Sequence, residues 1–198
     1  MLSFEHQFIF IKTKKTGGSS IEEYLSNFLG KDDLYMWNHI SSKENHGGLY
    51  NHIGAEEFCK TKYGKYWNNF TTITAARHPM DRLISEFFWS DRNGGYDGNF
   101  DRFLKDKAKI NSTNNHRLIK NVEFGFLIYY ENYINDINKV LEYLGLPTVN
   151  KENFPQLKSQ ERKDRRPWHE FMRQDQIDYF KKNFPEEIEM HRKLGYKI

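Results

Sequence analysis

The chain lacks several of the features that most readily assign a sequence to a class. Of its 198 residues one is cysteine, Cys59, which excludes an intramolecular disulfide and fits a reducing compartment. Its expected place is as a small apolar residue buried in a helix. Charge of one sign is also scarce. Thirty Lys and Arg against 27 Asp and Glu leave a net +3, too little for a protein that wraps nucleic acid, yet compatible with a local basic pocket for a polyanion. No apolar run approaches membrane-spanning length, and the N-terminus has no basic-then-apolar signal pattern. A cytoplasmic protein without a membrane span is therefore expected. There is no internal repeat, heptad run or low-complexity tract, and no Cys/His cluster with metal-ligand spacing.

What is present suits one globular domain over 1–198, since this length supports one substantial core and is short for two. The apolar run Phe8 to Ile11 reads as a buried strand, followed by a helix from about Ser19 to Phe28. Residues 30–53, rich in Gly, Asn, His and Ser, read as an irregular excursion. A short helix is expected over Ala55 to Cys59 and a central strand over Thr71 to Ala76. A helix then opens at Pro79, with Leu83, Ile84, Phe87 and Phe88 on one side. Phe100 to Ala108 and His116 to Val122 are shorter helical candidates, and Phe126 to Tyr130 reads as a third buried strand. A helix from Ile134 to Leu144 closes at Gly145. Lys158 to Arg166 reads as a basic loop, and helices near Gln174–Asn183 and Pro185–Leu194 finish the chain. Alternating strands and helices specify an α/β sandwich with a mainly parallel sheet, whose ligands bind at the strands' carboxyl ends.

Lys15-Thr16-Gly17-Gly18-Ser19-Ser20 lies at such an end. The glycines let the backbone curl so that successive N–H groups converge. The helix start adds unpaired donors and the positive end of its dipole, and Lys15 adds a full charge. Together these make an anion cradle suited to a phosphate compound. In the common P-loop the lysine follows the second glycine. Here it precedes both, which disfavours an ATP or GTP enzyme of that type. At the end of the next strand stands Arg77, with Ser85 two turns into the following helix. An arginine fork and a hydroxyl so placed suit a second phosphate.

These two stretches carry a resemblance. Ile9 to Ser20 resembles the 5′-phosphosulfate loop, I-F-I-H-I-P-K-T-G-G-T-S, of sulfotransferases that use 3′-phosphoadenosine 5′-phosphosulfate (PAPS). Arg77-His78-Pro79-Met80-Asp81-Arg82-Leu83-Ile84-Ser85 is similar to their 3′-phosphate motif, R-x-P-x-x-R-L-x-S. Tyr129 to Asn132 and Leu144 to Pro147 are similar to an R-Y-E-x-L…L-G-L-P region, and Leu194-Gly195-Tyr196 to the last helix. The resemblance is nearest the carbohydrate-modifying, heparan-sulfate 2-O-like and bacterial branch. It implies a P-loop-like three-layer sandwich and transfer of a sulfuryl group from PAPS to an acceptor hydroxyl, with a glycan as the expected acceptor, 3′,5′-ADP as product and no metal.

It also implies roles. Lys15 would stabilise the leaving phosphate oxygen, helped by Thr16, Gly17, Gly18, Ser19 and Ser20. Arg77 and Ser85 would hold the 3′-phosphate. The branch's basic histidine corresponds to His52, with His46 and His39 as alternatives and Glu56 and Glu57 as fallbacks. Arg165, in the basic segment with Lys158, Arg162, Lys163 and Arg166, would close over the adenine and 3′-phosphate, unless that segment is a solvated charge run. Trp37, Trp67, Trp89 and Trp168 would be core by default, or platforms for a sugar ring.

Lys12 and Lys14 stand where the family motif has histidine and proline, which makes the loop more basic, and Tyr129 stands where an arginine is frequent. Two other readings stay open. One is a small-molecule or nucleotide kinase, which needs Mg2+ and a strand-end carboxylate, though no Walker-B-like run is evident. The other is a non-catalytic nucleotide-binding protein of the same fold.

Overall fold

The computed structural model describes residues 1–36, 48–110, 115–158 and 160–198, with the backbone alone at 109 and 110. The chain folds into two compact units, Met1–Ala76 with Arg117–Leu157 and Arg77–His116 with Lys158–Ile198. The strands are β1 (Leu2–Ser3), β2 (Phe8–Ile11), β3 (Thr71–Ala76) and β4 (Phe126–Tyr129). Helices follow in chain order as α1 (Gly18–Ser26), α2 (Ala55–Cys59), α3 (Pro79–Asp91), α4 (Phe100–Ile110) and α5 (His116–Ile119). The remainder are α6 (Tyr133–Tyr143), α7 (Trp168–Phe171), α8 (Gln174–Asn183) and α9 (Pro185–Lys193).

The first unit holds the sheet, in the order β1-β2-β3-β4. β2, β3 and β4 run parallel, and β1 pairs antiparallel with β2. Side chains alternate across a strand, so Phe8, Phe10, Ile73, Ala75 and Ile128 share one face. They form a single core with Ile21 and Leu25 of α1 and Ile137, Val140 and Leu141 of α6. Each of the larger side chains contributes roughly 1.5–3 kcal/mol by leaving water, and the cluster fixes where α1 begins relative to the end of β2. The second unit has its own core. Met80, Leu83, Ile84 and Phe87 of α3 pack with Phe100, Phe103 and Leu104 of α4, Ile177 and Phe180 of α8, and Ile188 of α9. Phe88, on the same side of α3, is partly buried against it.

Three sequence expectations change, and one strand is not anticipated by the sequence. β1 is too short for any alternation to reveal it. β4 is an edge strand in which only Ile128 is fully buried, so the third strand is half-covered rather than interior. Cys59 is exposed. In the short α2 the inward positions, three apart, are taken by Ala55 and Phe58. Trp67, Trp89 and Trp168 are all partly exposed. Trp67 packs on Phe58 and Phe124, and the other two lie in the second unit. Trp37 is outside the described residues.

Candidate functional site

β2 delivers the chain to Lys12, whose side chain turns inward. Its ammonium forms a buried ion pair with Glu22 of α1, the two side chains being 7% and 2% exposed. Lys12 therefore adds no net charge to the loop, and Lys14 is half-buried. Thr13 Oγ1 donates to the Ala75 carbonyl at the end of β3 and lies 2.8 Å from Thr16 Oγ1. The Thr16 side chain is thus committed inward, leaving its backbone N–H as the group that can serve a ligand.

Backbone sign alternates through the loop. Lys15 has φ +61° and Gly17 φ +82°, while Thr16 between them stays in the ordinary region. Alternation of this kind turns successive N–H groups toward one side and makes a concavity for an anion. Lysine adopts the left-handed region at a cost, so the fold holds Lys15 there against its preference. Only one of the two glycines supplies a positive φ, because Gly18 is already the first residue of α1. Gly18 is nonetheless required for space, since a Cβ on it would lie 2.9 Å from Lys12 Cγ. Ser19 is half-buried, and Ser20 Oγ accepts the Leu157 N–H at 3.1 Å.

His52 stands beside this loop. Its Nδ1 is 2.9 Å from the Lys12 carbonyl. A carbonyl only accepts, so Nδ1 carries the proton and Nε2 the lone pair of the neutral ring. That tautomer suits a general base. His52 is also held at φ +62°, a conformation tolerated by histidine but costly. The fallback carboxylates are otherwise engaged. Glu56 accepts from Asn121 Nδ2 at 2.8 Å, and Glu57 from the Tyr50 hydroxyl. His39 and His46 lie outside the described residues.

In the second unit the chain enters α3 through Arg77, His78 and Pro79. Arg77 is buried at 8% exposure. Ser85 is half-buried on the helix, without a side-chain hydrogen bond among the described residues. Arg82, between them, faces the interior and pairs with Glu187 of α9 at 2.7 Å, both side chains fully buried. Arg82 is therefore an anchor of the motif rather than a ligand-facing cation.

The basic segment is no free charge run. Arg162 Nη1 pairs with Asp81 in the first turn of α3 at 3.0 Å, and its other nitrogens bond the carbonyls of Asp164 and Arg166. Lys158 Nζ sits 5.1 Å from the Trp89 ring near the far end of α3, and Trp168 stacks on His78 at 4.9 Å. Contacts at both ends thus hold the segment along the helix that carries the Arg77 and Ser85 motif. Arg165 is exposed within it, Arg166 is tied to Asp164, and Ser159 is outside the described residues. Sequence reasoning noted Arg162 only as one charge among several; the Asp81 carboxylate 81 residues away carries no sequence signal of the pairing.

The Sulfotransferase family matches residues 1–193 and so runs through both units. No curated protein sequence matches the chain. The structure is similar to the crystal structure of mouse sulfotransferase SULT7A1 complexed with PAP, with a TM-score of 0.58 and 15% identity over 95% of this chain and 86% of that one. At that identity the likeness concerns the fold, and it makes the mixed sheet with its flanking helices a P-loop-like α/β sandwich. A strand–loop–helix that concentrates backbone donors behind a lysine, on this fold and with the family match extending over nearly every residue, has one reading at the level of family: this chain belongs to the sulfotransferases.

Proposed function

We propose that residues 1–198 form one sulfotransferase domain that moves the sulfuryl group of PAPS to an acceptor hydroxyl, that of a carbohydrate. The observation that carries this reading is the alternating backbone of Lys15 to Gly17 at the start of α1, with the lysine ahead of the glycines. The donor set suits a 5′-phosphosulfate, since the loop offers backbone N–H groups and a lysine to a single anionic group.

In the reaction the bond from sulfur to the 5′-phosphate oxygen breaks as the bond from sulfur to the acceptor oxygen forms. Negative charge collects on the departing phosphate, and donors already aimed at it lower the barrier most. Lys15 supplies the full charge, and the N–H groups of Thr16, Gly17, Gly18, Ser19 and Ser20 supply the partial ones. His52 takes the acceptor's proton on Nε2, the nitrogen left basic by the Lys12 carbonyl. Arg77 and Ser85 bind the 3′-phosphate and select PAPS over nucleotides lacking it. Arg165 adds charge from the segment held along α3. The glycan acceptor is supported by the likeness of the two motifs to the carbohydrate-modifying branch.

Titration calorimetry with 3′,5′-ADP, AMP and ATP–Mg2+ tests the donor. Tight binding of 3′,5′-ADP that collapses in Arg77→Ala is expected, and preference for ATP–Mg2+ would overturn the reading. Transfer from labelled PAPS to a panel of glycans tests the acceptor. Lys15→Ala should bind 3′,5′-ADP more weakly and lose turnover by 100-fold or more, on the order of 3 kcal/mol of transition-state stabilisation.

A further inference from the structure

Tyr133 opens α6 and reaches back to the loop. Its hydroxyl donates to the Gly17 carbonyl at 2.6 Å. That carbonyl also accepts the Ser20 N–H at 2.9 Å and the Ile21 N–H at 3.3 Å, so Tyr133 joins the first turn of α1 as an additional donor from another helix. The ring is held in place by Phe154, edge-on at 5.0 Å, and by Tyr130 at 5.8 Å. Burial raises the phenol's pKa well above its ordinary value, so the group stays protonated and remains a donor throughout the working range.

The contact also explains the first glycine. A Cβ on Gly17 would lie 2.8 Å from the Tyr133 hydroxyl oxygen and 3.0 Å from the ring carbon bearing it. The hydroxyl occupies the space that any side chain at residue 17 would need. Glycine is thus demanded twice, by φ +82° and by Tyr133.

The consequence lies in the geometry of one peptide. In a trans peptide the C=O and the following N–H point in opposite directions. Fixing the Gly17 oxygen toward Tyr133 therefore fixes the Gly18 N–H away from it. Glycine at positive φ adds no side-chain barrier to turning this peptide over, so its orientation rests on the bonds to the Gly17 oxygen, two from the first turn of α1 and the shortest from Tyr133. A flip would withdraw one donor from the cradle and present an oxygen of partial negative charge instead.

We propose that Tyr133 is a positioning residue for the donor: its hydroxyl locks the Gly17–Gly18 peptide so that the Gly18 N–H serves the 5′-phosphate. This rests on the reading that the Lys15 loop takes that phosphate. The test uses Tyr133→Phe, which keeps the ring and removes one oxygen. Calorimetry compares 3′,5′-ADP with adenosine 3′-monophosphate, which lacks the 5′ group.

The intact protein should prefer 3′,5′-ADP. In Tyr133→Phe its affinity for 3′,5′-ADP should fall about 10-fold while that for adenosine 3′-monophosphate changes less than 2-fold. A general loss of structure would weaken both alike. If the variant keeps the same preference ratio as the intact protein, the positioning role is overturned and the donor assignment stands. If the intact protein itself binds the two nucleotides equally, the loop does not take a 5′-phosphate, and both statements fall.

Discussion

Arg82 Nη2 lies 2.7 Å from Glu187 Oε1, and neither side chain has any exposed surface. The pair ties α3, which follows Arg77 and carries Ser85, to α9. Glu187 further accepts the His116 backbone N–H at 3.0 Å and lies 3.4 Å from its Nδ1, with the His191 ring at 3.8 Å. A carboxylate so surrounded stays ionised despite burial, and its pKa falls from 4.5 to about 2, burial opposing the shift and Arg82 leading the groups that drive it.

Removing one member strands the other in the interior. Glu187→Gln should cost about 3–5 kcal/mol, read as a lower urea midpoint, whereas Arg82→Met with Glu187→Leu should recover most of that loss. The same pair sets an acid limit. A carboxyl with a depressed folded pKa stabilises the fold above its unfolded value and loses that contribution as pH falls from 4.5 toward 2. The contribution is on the order of 3 kcal/mol. His191, held below its ordinary 6.5 chiefly by burial, acts in the same direction at higher pH, because the unfolded chain takes up a proton that the folded one refuses. Stability should therefore decline below 6.5 and again below 4.5. Glu187→Gln should shrink the second decline, leaving the part due to other carboxyls with depressed values such as Asp33, and an unchanged acid profile would refute its assignment.

Much of this architecture was legible in the sequence because local signals agreed with the fold. Phe8–Ile11 and Thr71–Ala76 are apolar or β-branched runs with clear ends, and Pro79 marks the start of α3. The loop between β2 and α1 was legible because glycines, a lysine and a helix start fall together. Long-range pairings were not. Glu187 sits in an acidic first turn of α9, where a carboxylate ordinarily faces water and favours the helix dipole; only packing turns it onto Arg82. Tyr133 stands where the R-Y-E-x-L motif has an apolar residue, and its spacing gives no hint of Gly17, 116 residues earlier. Lys12 looked like surplus charge until Glu22 was found beside it.

The loop glycines should respond unequally to substitution. Gly17→Ala meets both a left-handed backbone and the Tyr133 hydroxyl at 2.8 Å, and should weaken 3′,5′-ADP binding more than 10-fold with loss of about 1–2 kcal/mol of stability. Gly18→Ala has an ordinary helical backbone and meets only the Lys12 stem at 2.9 Å. The Lys12 stem would have to give against its buried pairing with Glu22, but no left-handed backbone strain is added, so its effect on affinity should be several-fold smaller. Equal losses in calorimetry would show that backbone sign is not what distinguishes the two sites.

Arg162 predicts a separation of binding from stability. Its pairing with Asp81 holds the basic segment on α3, yet both side chains retain some exposure, 12% and 22%. Arg162→Ala should release Arg165 from its place along the motif helix and raise the Kd for 3′,5′-ADP about 5- to 10-fold, near 1 kcal/mol. The urea midpoint should barely move, since no core residue is touched. Unchanged nucleotide affinity would make the segment structural decoration of α3.

His52 makes the last prediction, and it concerns a proton. With Nδ1 at 2.9 Å from the Lys12 carbonyl, the neutral ring must carry its hydrogen there, because two acceptors cannot share a bond without one. Ring nitrogen NMR of the protein should therefore report the Nδ1–H tautomer, not the Nε2–H form that free imidazole side chains favour. His52→Ala should lower turnover by about 100- to 10,000-fold, the usual worth of a positioned base, while 3′,5′-ADP binding stays within a factor of 3. Lys12 bears on the same ring through its backbone, with its side chain held by Glu22, so replacing both Lys12 and Glu22 by methionine removes the ion pair without stranding a charge. That double variant should fold, bind nucleotide and keep the Nδ1–H tautomer, because the Lys12 carbonyl remains in place. Full activity in His52→Ala would move the base to another residue, whereas an Nε2–H signal in the intact protein would remove the structural ground for assigning it here.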